Sequence, residues 1–539
     1  MAVPLVLAAI VDDGPLSPFA IRALAEIAAL PGVHLALLVS CQGGTGGAES
    51  TPSALTRFFL AADRWHFNPR PAVAVSPEVA RRVSEVPRVR CVDAAALRNV
   101  ALAHRVEAII EIGNAAAPFS VEIPLGTWCL SYGGLTAPQA AVSSVLGEYD
   151  CLRTALISRA EPSRVLAESI SARDHVSAAR TLTALEWKGI SLVRRGVHRL
   201  QRDGGRARPP AAAASATHPI APVPSPQLLW RVPGHVARAA VRRRARQRGA
   251  ARWALLIGRR DGADIAGLEP AFPPPGCFWA DPFVVSEGSA RYVFFEEYRH
   301  DRARGRIVVA QIKGDGRLGA PVVALERPYH LSYPFVFTHD GEWYMVPETQ
   351  ANRTIEVYRC DQFPDRWRFS HVLMPEIRAV DATIVLQDDR WWLFANVAEL
   401  EGSSTHDELA AFWADSPLST RWHPHRSNPI VADVRRARPA GPFMRRDGRL
   451  IRPSQDSSTQ YGGAIRLNEV ISLTETDYEE RPIGVYDARW DSRVTAIHTL
   501  SEDGGVVCID GKVSREEDWP AESRAGGRCP LLAAEGGPS

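Results

Sequence analysis

Two aspartates, Asp281 and Asp381, stand at matching places in two short apolar segments, WADPFVV and VDATIVL. Two carboxyl groups that face one cavity can divide acid–base work, because one donates a proton to a leaving oxygen while the other accepts a proton. An acetal is a linkage that such a pair suits. The two segments therefore predict an acid–base site, provided that the fold brings them together.

The segments that carry these aspartates belong to an internal repeat. The segments YPFVFTHDG and GPFMRRDG superimpose on them, so successive units begin at Asp281, Tyr333, Asp381 and Gly441, at spacings of 52, 48 and 60 residues. Each unit continues through a turn into a second strand: RYVFFEEY, EWYMVPET, RWWLFANV and RLIRPSQD. Repeats of this length, built from short strands, predict the blades of a β-propeller.

A fifth unit begins at Thr495 (TAIHTLSEDGGVVCIDG) and lacks outer strands of its own. An open ring would leave strand edges unpaired. We therefore predict that the strand at Arg252–Ile257 (RWALLI) pairs beside Gly505–Ile509 and closes the ring. The expected fold class here is an all-β five-bladed β-propeller over residues 251–515, followed by a disordered tail over 516–539.

The inner strand of each blade lines the central channel, so the residues at its start converge on one mouth. The repeat alignment places Asp281, Tyr333, Asp381, Gly441 and the pair Ile497–His498 around a common axis. We take Asp281, Asp381 and Glu348 as candidate catalytic residues. The candidate substrate-binding residues are His330, Tyr333, Glu297, Asp456 and His498.

Each candidate also has a structural interpretation. An aspartate before proline, as at Asp281, often caps a turn by accepting backbone N–H bonds. Asp381 lies on a buried strand, where a carboxylate needs a partner. Glu296 and Glu297 are adjacent on a strand and must point to opposite faces, so at most one of them sees the channel.

WADPFVV and VDATIVLQDDRWWLF resemble the inner strands of five-bladed arabinanase and β-xylosidase propellers. That resemblance implies that Asp281 is the general base and that Asp381 orients and tunes the acid. Those enzymes place a glutamic acid before a Gly-Pro in the fourth blade, where this chain has Ala440-Gly441-Pro442. The resemblance therefore does not supply the acid, and Glu348 is the best substitute.

A closer resemblance covers roughly residues 250–515. The ordered motifs WADPFVV, FFEEY, YHLSYPFVF, YMVPET, NRTIEVYRC, FPDRW and DRWWLFAN resemble the N-terminal domain of plant glucosamine inositolphosphorylceramide transferase and its bacterial relatives. In the plant proteins this propeller accompanies a separate glycosyltransferase domain. The resemblance implies a sugar or glycolipid context for residues 250–515.

Residues 1–202 alternate strand and helix patterns, which predicts a parallel sheet with helices on its faces, as in a Rossmann-like α/β domain. The run EAIIEIGNAAAPFSVEIPLGTWCLSYGG resembles the core of formyltransferase-fold proteins, in which a strand carries an Asn-x-His pair. On that alignment Cys129 replaces the asparagine and Ser131 replaces the histidine. The resemblance implies a degenerate, non-catalytic relative that serves as a scaffold or partner-binding module.

Residues 203–250 form a Pro/Ala-rich linker and then an arginine-rich stretch. Attraction to anionic lipid or to a glycan phosphate is one interpretation of the arginines. We favour the other, a solvated helix that feeds the next domain, because the apolar positions Val236, Ala240 and Val241 form a weak face. A membrane-surface contact is thus the less favoured expectation.

The bulk composition narrows the choice of function. The net charge of +2 over 539 residues argues against nucleic acid as a partner. The eight cysteines are scattered singly, and the apolar start of the chain lacks a basic segment before it. We expect a cytoplasmic protein without cofactor or metal that binds a glycan or glycolipid. A formyl or acyl transferase acting on a nucleotide sugar and a non-catalytic scaffold are the alternatives.

Overall fold

The computed structural model describes residues 4–41, 53–67, 76–112, 121–147, 149–159, 163–203, 220–248, 252–314, 316–513 and 527–533. The chain divides into two compact units. Unit 1 comprises residues 1–241 with 399–404, and unit 2 comprises 242–398 with 405–539.

Unit 1 is an α/β unit built on a seven-stranded sheet. Its strands are β1 Leu5–Ile10, β2 Val33–Cys41, β3 Arg88–Cys91, β4 Ala108–Glu111, β5 Thr127–Tyr132, β6 Cys151–Ser158 and β7 Arg164–Ala172. Its helices are α1 Pro18–Ala28, α2 Ala54–Phe67, α3 Pro77–Ser84, α4 Ala94–Ala103, α5 Ala137–Gly147, α6 Ala178–Asp203 and the first part of α7 Ser225–Arg248, whose residues from Arg242 on belong to unit 2.

The strand order of this sheet is β3-β2-β1-β4-β5-β6-β7. Strands β1 to β5 pair in parallel, whereas β6 runs antiparallel to both of its neighbours. The expected sheet was wholly parallel, so the reversed β6 is a correction. The short connection from β6 to β7 cannot contain the crossover that parallel neighbours need, so these two strands form a hairpin.

Strand β1 shows why helices cover both faces of the sheet. Alternate residues point to opposite sides of a strand. Leu7 and Ala9 pack into a cluster that includes Leu24 of α1, whereas Ala8 and Ile10 pack into another that includes Leu97 of α4. A strand that is apolar on both faces requires this sandwich.

Unit 2 is the five-bladed β-propeller that the repeat predicts. The chain enters it through β8 (Arg252–Asp261) and β9 (Asp264–Ala271). Blade 1 is β10 Cys277–Glu287, β11 Ala290–Arg299, β12 Arg304–Ile312 and β13 Val322–Leu325; blade 2 is β14 Ser332–His339, β15 Glu342–Glu348, β16 Ile355–Gln362 and β17 Arg366–Met374. Blade 3 is β18 Ala379–Gln387, β19 Arg390–Val397, β20 Leu409–Ala414 and β21 His423–Pro424; blade 4 is β22 Met444–Arg446, β23 Arg449–Asp456, β24 Ala464–Leu473 and β25 Tyr478–Asp487.

The fifth blade closes the ring with strands from both ends of the propeller sequence. It contains β26 (Val494–Asp503), β27 (Val506–Val513), β8, β9 and β28 (Gly527–Cys529), in that order. Ile257 pairs with Cys508, and Leu256 pairs with Ile509. The predicted closure is confirmed. The structure differs from the expected disordered tail at β28, which pairs with β9 and whose Cys529 is buried in the core of the blade.

The inner strands share an irregularity at the residues that the repeat alignment matches. The pairing register shifts between Ala280 and Phe283, and the corresponding shifts in other blades surround Tyr333, Asp381 and His498. Asp281, Tyr333 and Asp381 have φ of 53°, 43° and 56°, the left-handed region that side chains rarely adopt. Four of the five inner strands thus carry a bulge at the aligned position, and blade 4 has Gly441 there, shortly before β22.

Helix α7 lies in the segment for which composition predicts a linker and an arginine-rich helix. It begins at Ser225, carries Pro233 within it and ends at Arg248. No helix among the described residues combines the length and the apolar character that spanning a membrane requires.

Gly441 tests how tightly the bulges are packed. Its φ is 120°, and a Cβ at this position would stand 1.9 Å from the carbonyl oxygen of Leu500 in the neighbouring blade. We expect Gly441→Ala to lower the free energy of unfolding of the propeller by roughly 3 kcal/mol or more, because backbone must move. Denaturant unfolding measures this loss.

Gly448→Ala is the matched control. Gly448 also has a positive φ, of 75°, but its turn has open space around the added methyl group. Its cost should be about 1 kcal/mol. Equal losses in the two variants would show that conformation alone, without the close approach to Leu500, explains Gly441.

Candidate functional site at the propeller mouth

Tyr333 joins three blades at the floor of the mouth. Its side chain is fully buried, and its hydroxyl accepts a hydrogen bond from the backbone N–H of Gly441 at 2.8 Å. The same hydroxyl lies 3.0 Å from Oγ1 of Thr383. The structure therefore places this predicted substrate-binding residue beneath the site, where it holds blades 2, 3 and 4 together.

Asp281, His498 and Asp510 form a buried chain of charged groups. Nδ1 of His498 lies 2.7 Å from Oδ2 of Asp510, and Nε2 lies 3.4 Å from Oδ1 of Asp281. Asp510 also accepts the backbone N–H groups of Asp281, His498 and Thr499. Asp510, on the second strand of blade 5, thus anchors the bulges of blades 1 and 5 and orients the imidazole.

Burial and charge set the proton affinities of this chain. Burial raises the pKa of Asp281 to about 6, with His498 opposing the shift and Asp381 and Asp510 adding to it. Burial lowers the pKa of His498, but the ion pair with Asp510 and the nearby Asp281 outweigh it, so that the pKa is raised overall. Asp281 therefore changes charge near neutral pH, as a general base requires.

Arg438 holds Asp381 in place. Its Nε donates to Oδ2 of Asp381, and Nη2 donates to Oδ1 at 3.3 Å. Nε2 of Gln455 donates to Oδ2 at 3.4 Å. Arg438 and Asp381 are both buried, so this is a buried ion pair in which each charge depends on the other.

Glu348 and Glu296 complete a group of four carboxyls around the mouth. Burial and the neighbouring Asp381 raise the pKa of Glu348 well above its usual value, although Arg438 opposes the shift. Burial, then Asp281 and Glu348, raise the pKa of Glu296 in the same direction. Both glutamates therefore favour the protonated form, and Glu348 remains partly exposed to solvent.

His330 stands beside Glu296 at the rim. The backbone N–H of Gly305 donates to Nδ1 of His330 at 2.8 Å. Burial lowers the pKa of His330, so the ring is neutral and its proton is on Nε2, which lies 3.6 Å from Oε1 of Glu296. This oxygen is buried and has no hydrogen-bond partner within the described ranges.

Aromatic rings cover the other side of the mouth. The ring of Tyr461 is 5.1 Å from that of His498 and 5.7 Å from that of His406, and the guanidinium of Arg438 lies 5.1 Å from its centroid. The ring of Trp253 is 4.4 Å from that of His498. Tyr461 is 44% exposed, so an aromatic surface faces solvent directly above the charged groups.

The structure places two predicted binding residues away from this cluster. Glu297 accepts hydrogen bonds from Nε1 of Trp279 and from the guanidinium of Arg306. Asp456 pairs with Arg466 and accepts from Ser458. Of the adjacent pair in blade 1, Glu296 is the residue that joins the carboxyl group.

Sequence reasoning missed five residues of the site: Trp253, His406, Arg438, Tyr461 and Asp510. Asp510 had a signal, since it ends the apolar run VVCID just as Glu296 and Glu348 end FFE and MVPE on second strands of other blades. The other residues lie on irregular segments or on a strand that the alignment treats as an outer one, so the repeat does not single them out.

The part of the chain that the structure describes also contains a group suited to a cation. Ligand atoms of Asp281, His498 and Asp510 lie within 4.8 Å of one another. A cation here would have to displace the proton that the raised pKa of His498 retains between the two carboxylates. The expectation that the protein has no metal stays a prediction.

In unit 1, Cys129 and Ser131 lie on β5 and make local contacts. Nε of Arg159 donates to Sγ of Cys129 at 3.4 Å, and the backbone N–H of Gly134 donates to Oγ of Ser131 at 3.2 Å. Burial raises the pKa of the Cys129 thiol, although Arg159 opposes the shift. The thiol is thus protonated near neutral pH, which is unfavourable for a nucleophile.

The fold is a five-bladed β-propeller in which four carboxyl groups from blades 1, 2 and 3 lie close enough for their charges to interact. Residues 269–492 match the family described as "Glucosamine inositolphosphorylceramide transferase 1, N-terminal". The propeller is therefore similar to the N-terminal part of these transferases, as the sequence motifs indicated.

Curated relatives agree with this match. Glucosamine inositolphosphorylceramide transferase 1 of Oryza sativa subsp. japonica is 35% identical over 253 residues, which are 44% of this chain and 33% of that protein. The transferase of the same name from Arabidopsis thaliana is 35% identical over 209 residues, 38% of this chain and 27% of that protein. The match thus spans about a third of the length of these relatives.

Among solved structures, the catalytic domain of a GH62 α-L-arabinofuranosidase from Coprinopsis cinerea is similar to 52% of this chain and to 97% of its own chain. The TM-score is 0.35 and the sequence identity is 13%. A likeness of that size supports no statement about activity. No formyltransferase likeness of unit 1 follows from these comparisons.

The charged chain predicts how stability responds to pH. Because the pKa of His498 is higher in the folded than in the unfolded protein, its ion pair contributes its full stabilisation below about pH 6.5, and the contribution is lost as the pH rises through the folded pKa. We expect His498→Gln to cost about 3 kcal/mol near pH 6.5, as for other broken buried pairs, and less at pH 9.

Denaturant unfolding between pH 6.5 and 9 measures this gap between the wild type and the variant. His300→Gln, which alters an exposed histidine of blade 1, controls for the loss of an imidazole. A gap that stays constant or widens towards pH 9 would contradict the assignment of a charged His498.

Proposed function

We propose that the propeller mouth binds the sugar part of a glycan or glycolipid and that its carboxyl groups can act on a glycosidic linkage. The observation that carries this proposal is a group of four carboxyls, Asp281, Glu296, Glu348 and Asp381, whose charges act on one another. Three of them have raised pKa values. Strongly shifted groups that converge on one site are typical of acid–base chemistry.

The proton distribution assigns roles within this proposal. Glu348 favours its protonated form and is partly exposed, so it is the candidate acid that donates to a leaving oxygen. Asp281, with a pKa of about 6, is the candidate base. Asp381 raises the pKa of both Asp281 and Glu348, and Arg438 holds its carboxylate in place, so it is the candidate residue that tunes the acid and the base.

The surroundings of the carboxyls support a sugar as the ligand. The exposed face of Tyr461 offers an aromatic surface on which an apolar sugar face can pack. Glu348, the partly exposed member of the carboxyl group, offers a polar group to a sugar hydroxyl. An aromatic platform beside polar acceptors is a common arrangement of small-molecule sites.

The similarity to glucosamine inositolphosphorylceramide transferases extends the proposal to a substrate class. By analogy with the activity that the name of those relatives states, we propose a glycosylated phosphoinositol-type headgroup as the ligand, in a glycosidase-like or glycosyltransferase-associated role. This rests on analogy with proteins that the match covers to a third of their length.

For unit 1 we propose a Rossmann-like, formyltransferase-like domain without transfer activity. The parallel strand order β3-β2-β1-β4-β5 supports a Rossmann-like origin, because it repeats the first five positions of the doubly wound order. The transfer reaction needs a group that polarises a carbonyl and a group that moves a proton. Cys129 and Ser131 supply neither in their present contacts.

Glu348→Gln tests the acid. The amide mimics the protonated carboxyl group that the raised pKa favours, so we expect unfolding within about 0.5 kcal/mol of the wild type and nearly unchanged glycan binding. Cleavage or transfer of the bound sugar should fall by about 10² or more, because the proton donor is lost. Glycan-array binding and turnover of the selected glycan measure the two effects.

Glu342→Gln is the control on the same strand, since Glu342 pairs with Arg359 near the surface at the other end of β15. Unchanged turnover in Glu348→Gln would exclude it as the acid. A wild type that binds glycans without turning any over would favour the non-catalytic alternative, and one that binds none would end the proposal.

The role of Asp381 is tested with a single and a double variant, because the residue combines a structural and a proposed functional role. Asp381→Asn leaves Arg438 buried with a weakened partner, so we expect a loss of about 3 kcal/mol in the free energy of unfolding. Adding Arg438→Met should recover most of that stability, since the unpaired charge is removed. Denaturant unfolding of the single and double variants measures the coupling.

The double variant then separates the roles. If Asp381 acts on substrate or on Glu348, a stable Asp381→Asn/Arg438→Met protein should still have lost activity or glycan affinity. Recovery of both stability and function in the double variant would show that the pair serves folding alone.

A further inference from the structure

Helix α2 presents an apolar face to solvent. Leu55, Phe58 and Trp65 recur at helical spacing, and Phe58 and Trp65 are 73% and 85% exposed. The opposite face is the one that packs, since Phe59 is buried. Large aromatic side chains at such exposure are unusual for a surface that meets only water.

Helix α7 presents a second such face. Leu229, Trp230 and Val236 are exposed, Trp230 to 61%. Leu228, next to them, is buried in the same cluster as Phe59 of α2. The two helices are therefore anchored in one small core and turn their other apolar side chains outward. We call the exposed side chains Leu55, Phe58, Trp65, Leu229, Trp230 and Val236 the aromatic face.

The exposed charged residues of helix α2 are arginines, and helix α7 contains no acidic residue. Helix α2 exposes Arg57 and Arg64, and its only acidic residue, Asp63, is buried and accepts hydrogen bonds from Ser177 and Ala179. No aspartate or glutamate occurs from residue 204 to 260, and seven arginines fall between Arg231 and Arg248.

We propose that unit 1 docks on the surface of an anionic lipid bilayer through the aromatic face, with the exposed Arg57, Arg64 and Arg238 contacting lipid phosphates. Tryptophan and phenylalanine settle at the boundary between headgroups and acyl chains, and basic residues on the same helix are attracted by anionic lipid. Charge favours this occupant over a protein surface, because the arginines of α7 have no aspartate or glutamate among them or beside them from residue 204 to 260.

The structure changes the expectation for a membrane-surface contact, which the sequence made the less favoured one. From the sequence, Val236, Ala240 and Val241 formed a weak apolar face on α7 alone. The tertiary structure adds two exposed aromatic residues of α2, from a part of the chain more than 160 residues earlier, and shows that Leu229 and Trp230 face outward. Neither addition depends on what the propeller mouth binds.

Flotation of the full-length protein with lipid vesicles tests the proposal. We expect binding to vesicles of phosphatidylcholine that contain about 30% phosphatidylserine. Binding to vesicles of phosphatidylcholine alone should be at least about tenfold weaker, because the electrostatic attraction to anionic lipid is missing. The variant Phe58→Ser/Trp65→Ser/Trp230→Ser should lose at least tenfold in binding, and its folding should be unaffected because these side chains are exposed.

Two further variants sharpen the result. Phe369→Ser/Leu386→Ser/Ile471→Ser removes three exposed apolar side chains of the propeller and should bind as the wild type does. Arg57→Gln/Arg238→Gln should lower binding to anionic vesicles by about fivefold for each arginine, the effect of ~1 kcal/mol per basic residue near the membrane.

Each contrary outcome overturns the proposal. Absence of binding to anionic vesicles excludes a membrane partner. Equal binding by the wild type and the Phe58/Trp65/Trp230 variant excludes the aromatic face. A wild type that is dimeric in light scattering, with a monomeric variant, identifies the face as an interface between two copies.

The inference is independent of the proposed function of the mouth. We expect the Phe58/Trp65/Trp230 variant to lose vesicle binding while it retains glycan binding.

Discussion

The mouth of the propeller depends on a backbone constraint at the start of its inner strands. Asp281, Tyr333 and Asp381 hold left-handed conformations that cost free energy, and Gly441 holds one that no other residue fits. The strain persists because side chains of other blades bond the bulges: Asp510 binds three N–H groups of blades 1 and 5, and the hydroxyl of Tyr333 binds Gly441. Blade 5 thus fixes the bulge of blade 1, and blade 2 fixes the segment that leads into blade 4.

This constraint concentrates charge. Four carboxyls and Asp510 share the mouth with Arg438 and His498, and the cations do not neutralise all the acids in a buried setting. Buried acids without a neutralising cation retain their protons more readily, which explains the raised pKa values of Asp281, Glu296 and Glu348. Substitutions in the mouth are therefore coupled, and single variants report on partners as well as on the residue that is changed.

Much of unit 2 could be predicted from the sequence. The blade spacing, the five inner strands and the closure by Arg252–Ile257 follow from repeated local patterns. Such patterns can be read along the chain without knowledge of long-range contacts. The expectation for unit 1 was incomplete because a hairpin such as β6–β7 and a crossover give similar apolar runs. The partners of Asp381 could not be predicted, since Arg438 follows it by 57 residues and lies in an irregular segment.

The sequence by itself determined which residues recur at the start of each blade, because a repeat aligns equivalent positions without knowledge of their contacts. It therefore placed Asp281, Asp381, Tyr333 and His498 around one axis. Only the tertiary structure decided what each of them does there. Tyr333 is a buried tie, Glu297 turns away to Arg306, and Glu296 faces the mouth. Side-chain direction, burial and charge partners arise from long-range packing, which no local pattern encodes.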